Sequence, residues 1–310
     1  MFRSILVPID GSPFSEQALP WAVAVGKRTG AILRLMYVYP PSTEVLLESS
    51  PFYDEDMMFK VRTKQRAYLD GITKKLSETV KVEQLIEEGE IAETIKNRAV
   101  HGGSDLVVMA THARGAVGRF FLGSVADELV RTLPMPLLLV HPREIAPGIS
   151  DEVSLRRILV PLDGSPFAEQ ILMPAQSLAE STGAELTLMR VVQPIPATEV
   201  VPIELGAQPM YVDLTQRLGE AQQNVLNQAR KYVEDVSARL KPHVKGVHVH
   251  VVENHPADEI LLHATPERTD LVAIATHGRR GLARLILGSV ADKVIRGSRV
   301  PVLVLRPKPA

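Results

Sequence analysis

The sequence predicts an α/β protein of two tandem, doubly wound domains, each built on a five-stranded parallel sheet. Three observations carry that prediction: a long internal repeat, short apolar runs alternating with longer amphipathic ones, and a proline- and glycine-bearing break midway. Ile5–Phe14 reads ILVPIDGSPF and Ile158–Phe167 reads ILVPLDGSPF, nine of ten positions identical at an offset of 163 − 10 = 153. Leu122–Asp127 returns unchanged as Leu287–Asp292 at an offset of 165. Thr43-Glu44-Val45 matches Thr198-Glu199-Val200 at 155, and Glu88 matches Glu253 at 165, so most of the extra length of copy two lies between those landmarks. Solenoid repeats run to about 20–50 residues, so units this long are duplicated domains. A chain of 310 residues suits two domains at a prior of about 150 each. The expected domains are 1–145 and 154–310. The segment His141–Glu152, with two prolines, a glycine and no periodicity, is the expected linker.

The elements of copy one follow in order. Ser4–Ile9, rich in Ile, Leu and Val, reads as a buried strand. Ser12 is placed to cap the next helix, and Pro13 suits its first position, where the missing N–H has no helical partner. Ala18, Trp21, Ala22, Val25 and Gly26 recur at helical spacing, and Gly30 ends that helix. A second strand is expected at Ala31–Val38, a long amphipathic helix at Asp54–Thr79, a third strand at Val82–Glu87 and a helix at Ile91–His101. The fourth strand is Asp105–Ala110; a glycine-bearing loop, a helix from Ser124 and a last strand at Leu137–Val140 complete the unit. Copy two repeats the order. Its long helix shows Leu214, Leu218, Ala221, Val225, Ala229, Tyr232, Val236 and Leu240 at helical spacing. Right-handed crossovers leave few topologies, and the strand order expected in each copy is 3-2-1-4-5.

That order sets a switch point between strands 1 and 4, where ligands bind beyond the carboxyl ends of the strands. Strand 1 ends in Asp10, or Asp163. Strand 4 leads into Thr111-His112-Ala113-Arg114, or Thr276-His277-Gly278-Arg279-Arg280. The last helix opens at Gly123-Ser124, or Gly288-Ser289. A carboxylate there accepts hydrogen bonds from an adenine amino group or a ribose hydroxyl. Small residues admit phosphates close to backbone N–H groups, and a helix N-terminus adds donors and a favourable dipole. Each fragment alone is also an ordinary turn or cap; their joint placement, twice, points to a nucleotide.

These residues resemble the universal stress protein family over nearly the whole chain, in the V-P-x-D-G-S strand end, the T-H-x-R segment and the L-G-S-V-A-D helix start. Its ATP-binding members carry G-x-x-G, nine residues, then G-[S/T]. Copy two reads Ala275-Thr276-His277-Gly278, nine residues Arg279–Leu287, then Gly288-Ser289, so only the first glycine is replaced. Copy one keeps the spacer Arg114–Leu122 and Gly123-Ser124, but both leading glycines are Ala110 and Ala113. If the second of those positions needs positive φ or phosphate contact, a Cβ there costs of order 1 kcal/mol and crowds the ligand. The resemblance implies a Rossmann-like fold of the adenine-nucleotide α-hydrolase-like type. It implies adenosine contacts at Asp163, Val191 and Ile274 or Ala275, and phosphate contacts at Gly278, Arg279, Gly288, Ser289 and Val290. The weaker copy-one set is Asp10, Val38, Met109, Ala110, Ala113, Arg114, Gly123, Ser124 and Val125. The expected ligand is ATP, with Mg alongside, or a related adenine nucleotide, held mainly by the second domain of a stress-response sensor or regulator. The alternatives are a nucleotide-independent regulatory or scaffold dimer of the same fold and a slow ATPase. The resemblance also implies pairing through the apolar last strands Leu137–Val140 and Val302–Leu305, either as a homodimer or as an intramolecular pseudo-dimer.

Other classes find little support. No G-x-x-x-x-G-K-[S/T] loop occurs, and no G-x-G-x-x-G follows either first strand. No nucleophile–base set or paired carboxylates mark the crevice, so no catalytic residue is expected. The absence of cysteine excludes disulfides and thiolate chemistry. A formal net charge of −1 argues against a nucleic-acid or anionic-membrane partner. No apolar run approaches the roughly 18 residues of a membrane span, and Met1-Phe2-Arg3-Ser4 begins no signal-type segment; the expected location is the cytoplasm. His248 and His250 share one face of a strand, with His243 and His255 as nearby candidate ligands; the expectation there is a solvated strand face and no metal.

Overall fold

The computed structural model describes residues 2–39, 55–111, 122–142, 148–149, 151, 153–195, 208–276 and 287–308, with the side chains of 55–61 and 208–215 set aside. The first half runs β1 (Ser4–Pro8), α1 (Pro13–Glu16), α2 (Leu19–Thr29), β2 (Ile32–Tyr39), α3 (Glu55–Leu76), β3 (Val82–Glu88), α4 (Ile91–His101), β4 (Leu106–Ala110), α5 (Ser124–Thr132) and β5 (Leu137–Val140). The second repeats it: β6 (Arg157–Pro161), α6 (Pro166–Glu169), α7 (Leu172–Thr182), β7 (Glu185–Val192), α8 (Gln208–Leu240), β8 (Val247–Glu253), α9 (Pro256–His263), β9 (Leu271–Ala275), α10 (Ser289–Gly297) and β10 (Val302–Leu305).

Each half has the expected order, 3-2-1-4-5, and the halves fuse into one ten-stranded sheet, β3-β2-β1-β4-β5-β10-β9-β6-β7-β8. Every pairing within a half is parallel; the central pair, β5 with β10, is antiparallel. Its register sets Leu138 opposite Leu303, with Leu139 facing Val302 and Leu137 facing Val304. Leu138 and Leu303 are themselves repeat equivalents, 165 apart, so the pairing is isologous and a pseudo-two-fold axis passes between them. The apolar last strands thus close on each other within one chain, and no last-strand edge remains for a second chain. The outer edges, β3 and β8, are half-exposed and carry glutamates and histidines, which blunt an edge against further pairing.

Two cores cover the sheet. On one face Leu33, Leu35, Leu69 and Ile72 join Leu186, Leu188, Val236 and Leu240 in a single buried cluster. On the other, Leu6, Met36, Ile95 and Leu129 join Leu159, Met189, Ile260 and Val294. Both cores run unbroken from one half to the other, and α2 packs on α7 across the junction.

Two helical readings need correction. The single helix expected after Ser12 is two, α1 and α2, because Pro20 in the first turn of α2 has no N–H for the Glu16 carbonyl and its ring would strike that carbonyl. Pro174 forces the same break in copy two, one position further along. Gly30 and Gly183 end α2 and α7 in the left-handed region, at φ +72° and +74°, as the sequence predicts. The long helix α8 spans 33 residues, about 50 Å at 1.5 Å per residue, and outruns the sheet. Its buried face is Ala229, Val233, Val236 and Leu240, whereas Ala221 and Val225 of the expected stripe are exposed.

Charges bind the halves beside the central strands. Asp127 accepts from Arg131 Nε at 2.8 Å within α5 and from Arg296 Nη2 of α10 at 3.1 Å, while Arg296 Nε also reaches Asp292 at 2.8 Å. The Arg131 hydrogen bond, opposed by burial and reinforced by Arg296, holds the Asp127 carboxyl below the ordinary range. The stability this adds is complete above the unfolded-state value of about 3.9 and is lost as pH falls through the lower folded value. Asp127→Asn is therefore expected to lower stability at neutral pH by about 1 kcal/mol, the upper end for partly exposed pairs. The gap between wild type and variant should close below about pH 4 in urea melts; a gap that persists in acid would show that the residue stabilises by packing.

Candidate functional site

The crevice assembles from local rules. After β1 and β6 the chain turns sharply at Gly11 and Gly164, both at φ +81°, a region an L side chain rarely adopts. Asp10 Oδ1 accepts the Ser12 N–H at 2.9 Å, and Asp163 Oδ1 accepts both the N–H and the hydroxyl of Ser165, at 2.9 and 2.6 Å. Ser12 and Ser165 then cap α1 and α6 by accepting the Ser15 and Ala168 N–H groups at 3.2 and 3.1 Å. The carboxylate at each strand end is thus oriented by the turn it initiates. α1 and α6 pack against β4 and β9, which brings the Asp turn beside the end of the fourth strand.

The far wall is built by one hydrogen bond per copy. Thr111 and Thr276, both buried, follow the fourth strands, and their carbonyls accept the N–H of Gly123 and Gly288 at 2.9 Å. The last helix therefore starts directly on the strand end. Gly288 is its N-cap in extended conformation, and no side chain caps the helix; Gly123 is the same. A Cβ on Gly288 would stand 3.0 Å from the Thr276 carbonyl oxygen, so only glycine closes this contact without displacement.

The structure brings together Asp163, Val191, Ile274, Ala275, Gly288, Ser289 and Val290 around the β6/β9 switch point, and Asp10, Val38, Met109, Ala110, Gly123, Ser124 and Val125 around β1/β4. Leu162 N–H bonds the Met189 carbonyl at 2.8 Å, which sets Val191 just past Asp163 on the neighbouring strand. Ile274, Ala275, Met109 and Ala110 are buried strand-end residues. Gly278, Arg279, Arg280 and His277, with Ala113, Arg114 and His112, lie outside the described residues.

Three residues at the crevice are not among the expected site residues. Tyr68 of α3 donates to Glu16 Oε1 at 2.8 Å; burial, the Glu16 bond and the nearby Asp10 charge push its hydroxyl well above the ordinary range. Tyr232 of α8 is raised too, by burial and then by Glu169 and Asp163. Glu169 is itself paired with Arg239 at 2.8 Å. Arg190 of β7 acts on Tyr232 in the opposite sense and reaches the Leu162 carbonyl at 3.4 Å, so a cation stands beside Asp163 in copy two. The equivalent of Arg190 in copy one is Tyr37. The shared signal is a tyrosine at the same point of each long helix, legible only after the copies are aligned across an insertion.

Fold and site together define a duplicated α/β protein with two switch-point crevices in one fused sheet. The chain belongs to the universal stress protein family, whose model matches residues 1–141 and again 154–306. A universal stress protein of Mycolicibacterium smegmatis is 27% identical over 317 aligned positions, covering 98% of this chain and 97% of the relative. One from Thermus aquaticus is 33% identical over 141 residues, covering 46% of this chain and all of the relative. The crystal structure of a universal stress protein from Archaeoglobus fulgidus superposes with a TM-score of 0.66 at 20% identity, covering 98% of each chain, and shares the fold. Among the described residues, no helix is long and apolar enough to cross a membrane.

Proposed function

We propose that the second domain binds ATP or a related adenine nucleotide, with Mg²⁺ carried on the phosphates, and that occupancy makes the protein a sensor or regulator in stress response. The observation that carries this reading is the convergence of Asp163, Val191 and the uncapped Gly288-Ser289 helix start on one switch point. The donor set fits the ligand: a turn-oriented carboxylate suits a ribose or adenine amino group, and the α10 N-terminus suits phosphates. Glycine at 288 lets α10 start directly against the Thr276 carbonyl, which fixes where its N-terminal donors stand. Arg190 adds positive charge in copy two at a position where copy one has Tyr37, in line with the sequence asymmetry at Gly278 and Ala113.

Denaturing mass spectrometry of freshly purified protein is the test. One nucleotide per chain is the expected count. Two would mean that Ala113 is tolerated and that both copies bind. None, with no response to added ATP, would replace this reading with nucleotide-independent regulation by the same fold.

A further inference from the structure

His250 on β8 and Glu259 and His263 on α9 form a cluster that the crevice does not use. One ligand atom from each lies within 4.8 Å of the other two. Glu259 and His263 are four apart on α9 and so share a helical face, while β8 delivers His250 opposite them. The imidazole rings of His250 and His263 are 4.7 Å apart, centroid to centroid. The Glu259 carboxylate is buried, at 5% exposure. Its Oε2 accepts from the Asn254 amide at 2.6 Å. Its Oε1 stands 3.3 Å from His263 Nδ1 and 3.8 Å from His250 Nε2, the latter beyond hydrogen-bonding reach. His250 Nε2 is buried and has no hydrogen-bond partner among the described residues.

The fold itself does not call for these groups. At the repeat offset of 165 the equivalents in copy one are Leu85, Thr94 and Arg98, none of them a carboxylate or imidazole. Leu85 simply packs on the core, and Arg98 pairs outward with Glu87 at 3.2 Å. Copy two has instead buried a carboxylate, which is costly unless a cation faces it, and aimed an unpaired ring nitrogen at it. Two imidazoles and one carboxylate are the donor set of a borderline divalent ion such as Zn²⁺, and Asn254 orients the carboxylate as outer partners of metal ligands do. Tetrahedral donors about 2.1 Å from one ion lie about 3.4 Å apart, so the widest pair in the cluster needs to close by at most about 1.4 Å. The His250 and His263 side chains are 39% and 21% exposed, so the cluster lies close to the surface although its facing donor atoms are covered.

We infer that His250, Glu259 and His263 form a binding site for a single zinc-type divalent cation on the outer edge of the second domain. Titration of the intact, metal-stripped protein with Co²⁺ tests it by visible absorption, followed by displacement with Zn²⁺. The expected result is one equivalent bound, with the strong absorption of low coordination number, weakening as pH falls because the ligands must be deprotonated. His250→Ala on the half-exposed edge strand should keep the fold and lose at least tenfold in affinity, and Glu259→Gln should do the same. His243→Ala, an exposed histidine nearby, should change nothing. Binding that survives His250→Ala within twofold, or the lack of saturable binding in wild type, would overturn the site and leave a hydrogen-bonded polar cluster only.

Discussion

Leu303→Ala is expected to lower the melting temperature by on the order of 10 °C and to split one unfolding transition into two. Leu303 is 1% exposed and faces Leu138 across the β5/β10 pair, at the centre of the only strand pairing that joins the described halves. Both side chains belong to the core that runs through both domains. Removing a buried leucine to Cγ and beyond costs about 2–5 kcal/mol, transfer plus cavity, and each kcal/mol shifts a domain of 150–250 residues by about 2–4 °C. Because the loss falls on the joint, each half keeps its own five strands and two helical layers, and the halves are expected to melt separately. Leu138→Ala removes the other side of the same contact, so the double variant should cost less than the two single losses added, with a coupling of about 0.5–3 kcal/mol. Leu262→Ala, 56% exposed on α9, should stay within about 0.5 kcal/mol of wild type. Calorimetry that finds one transition in Leu303→Ala would show that the α2–α7 contact and the Asp127–Arg296 pair hold the halves together without the strands.

Much of this was legible because duplication let one copy check the other. Near-continuous apolar runs pointed to a parallel sheet covered on both faces, and the handedness of crossovers left few strand orders, among them the 3-2-1-4-5 that each half adopts. The Asp-Gly-Ser turn and the Gly-Ser helix start are local signals, and both occupy the expected places. Local patterns also misled. The apolar stripe of α8 continues past the end of the sheet, and periodicity cannot report where the partner surface stops. Pro20 and Pro174 fall inside the single helix expected after strand 1 of each copy, although a proline late in a first turn marks a new start. Long-range meetings left no local trace: Arg190 beside Asp163, and His250 opposite His263, depend on the register of β7 and β8. For the histidines a usable signal existed, a Glu and a His four apart on the helix that follows a His-bearing strand. Linear proximity drew attention instead to His243 and His255.

Gly288→Val is expected to abolish nucleotide retention, an affinity loss of at least tenfold, while the protein stays folded. The added Cβ would stand 3.0 Å from the Thr276 carbonyl oxygen, the same atom that accepts the Gly288 N–H at 2.9 Å. That contact has no flexible end to yield, so α10 must shift away from β9, and its first-turn N–H groups shift with it. Overpacking of this kind costs about 1–3 kcal/mol of stability, which a chain with two cores spanning both halves tolerates. Binding is more sensitive, because a phosphate held by oriented N–H donors loses about tenfold for each 1.4 kcal/mol of misplaced hydrogen bonding. Gly123→Val is the equivalent substitution in copy one, where Gly123 likewise donates to the Thr111 carbonyl at 2.9 Å. If copy one contributes no nucleotide, that variant should match wild type in affinity and stoichiometry. A folded Gly288→Val protein that still carries one nucleotide would remove the phosphate site from the α10 N-terminus. Loss of nucleotide in Gly123→Val alone would move the working site to the first domain and reverse the asymmetry read from Ala113.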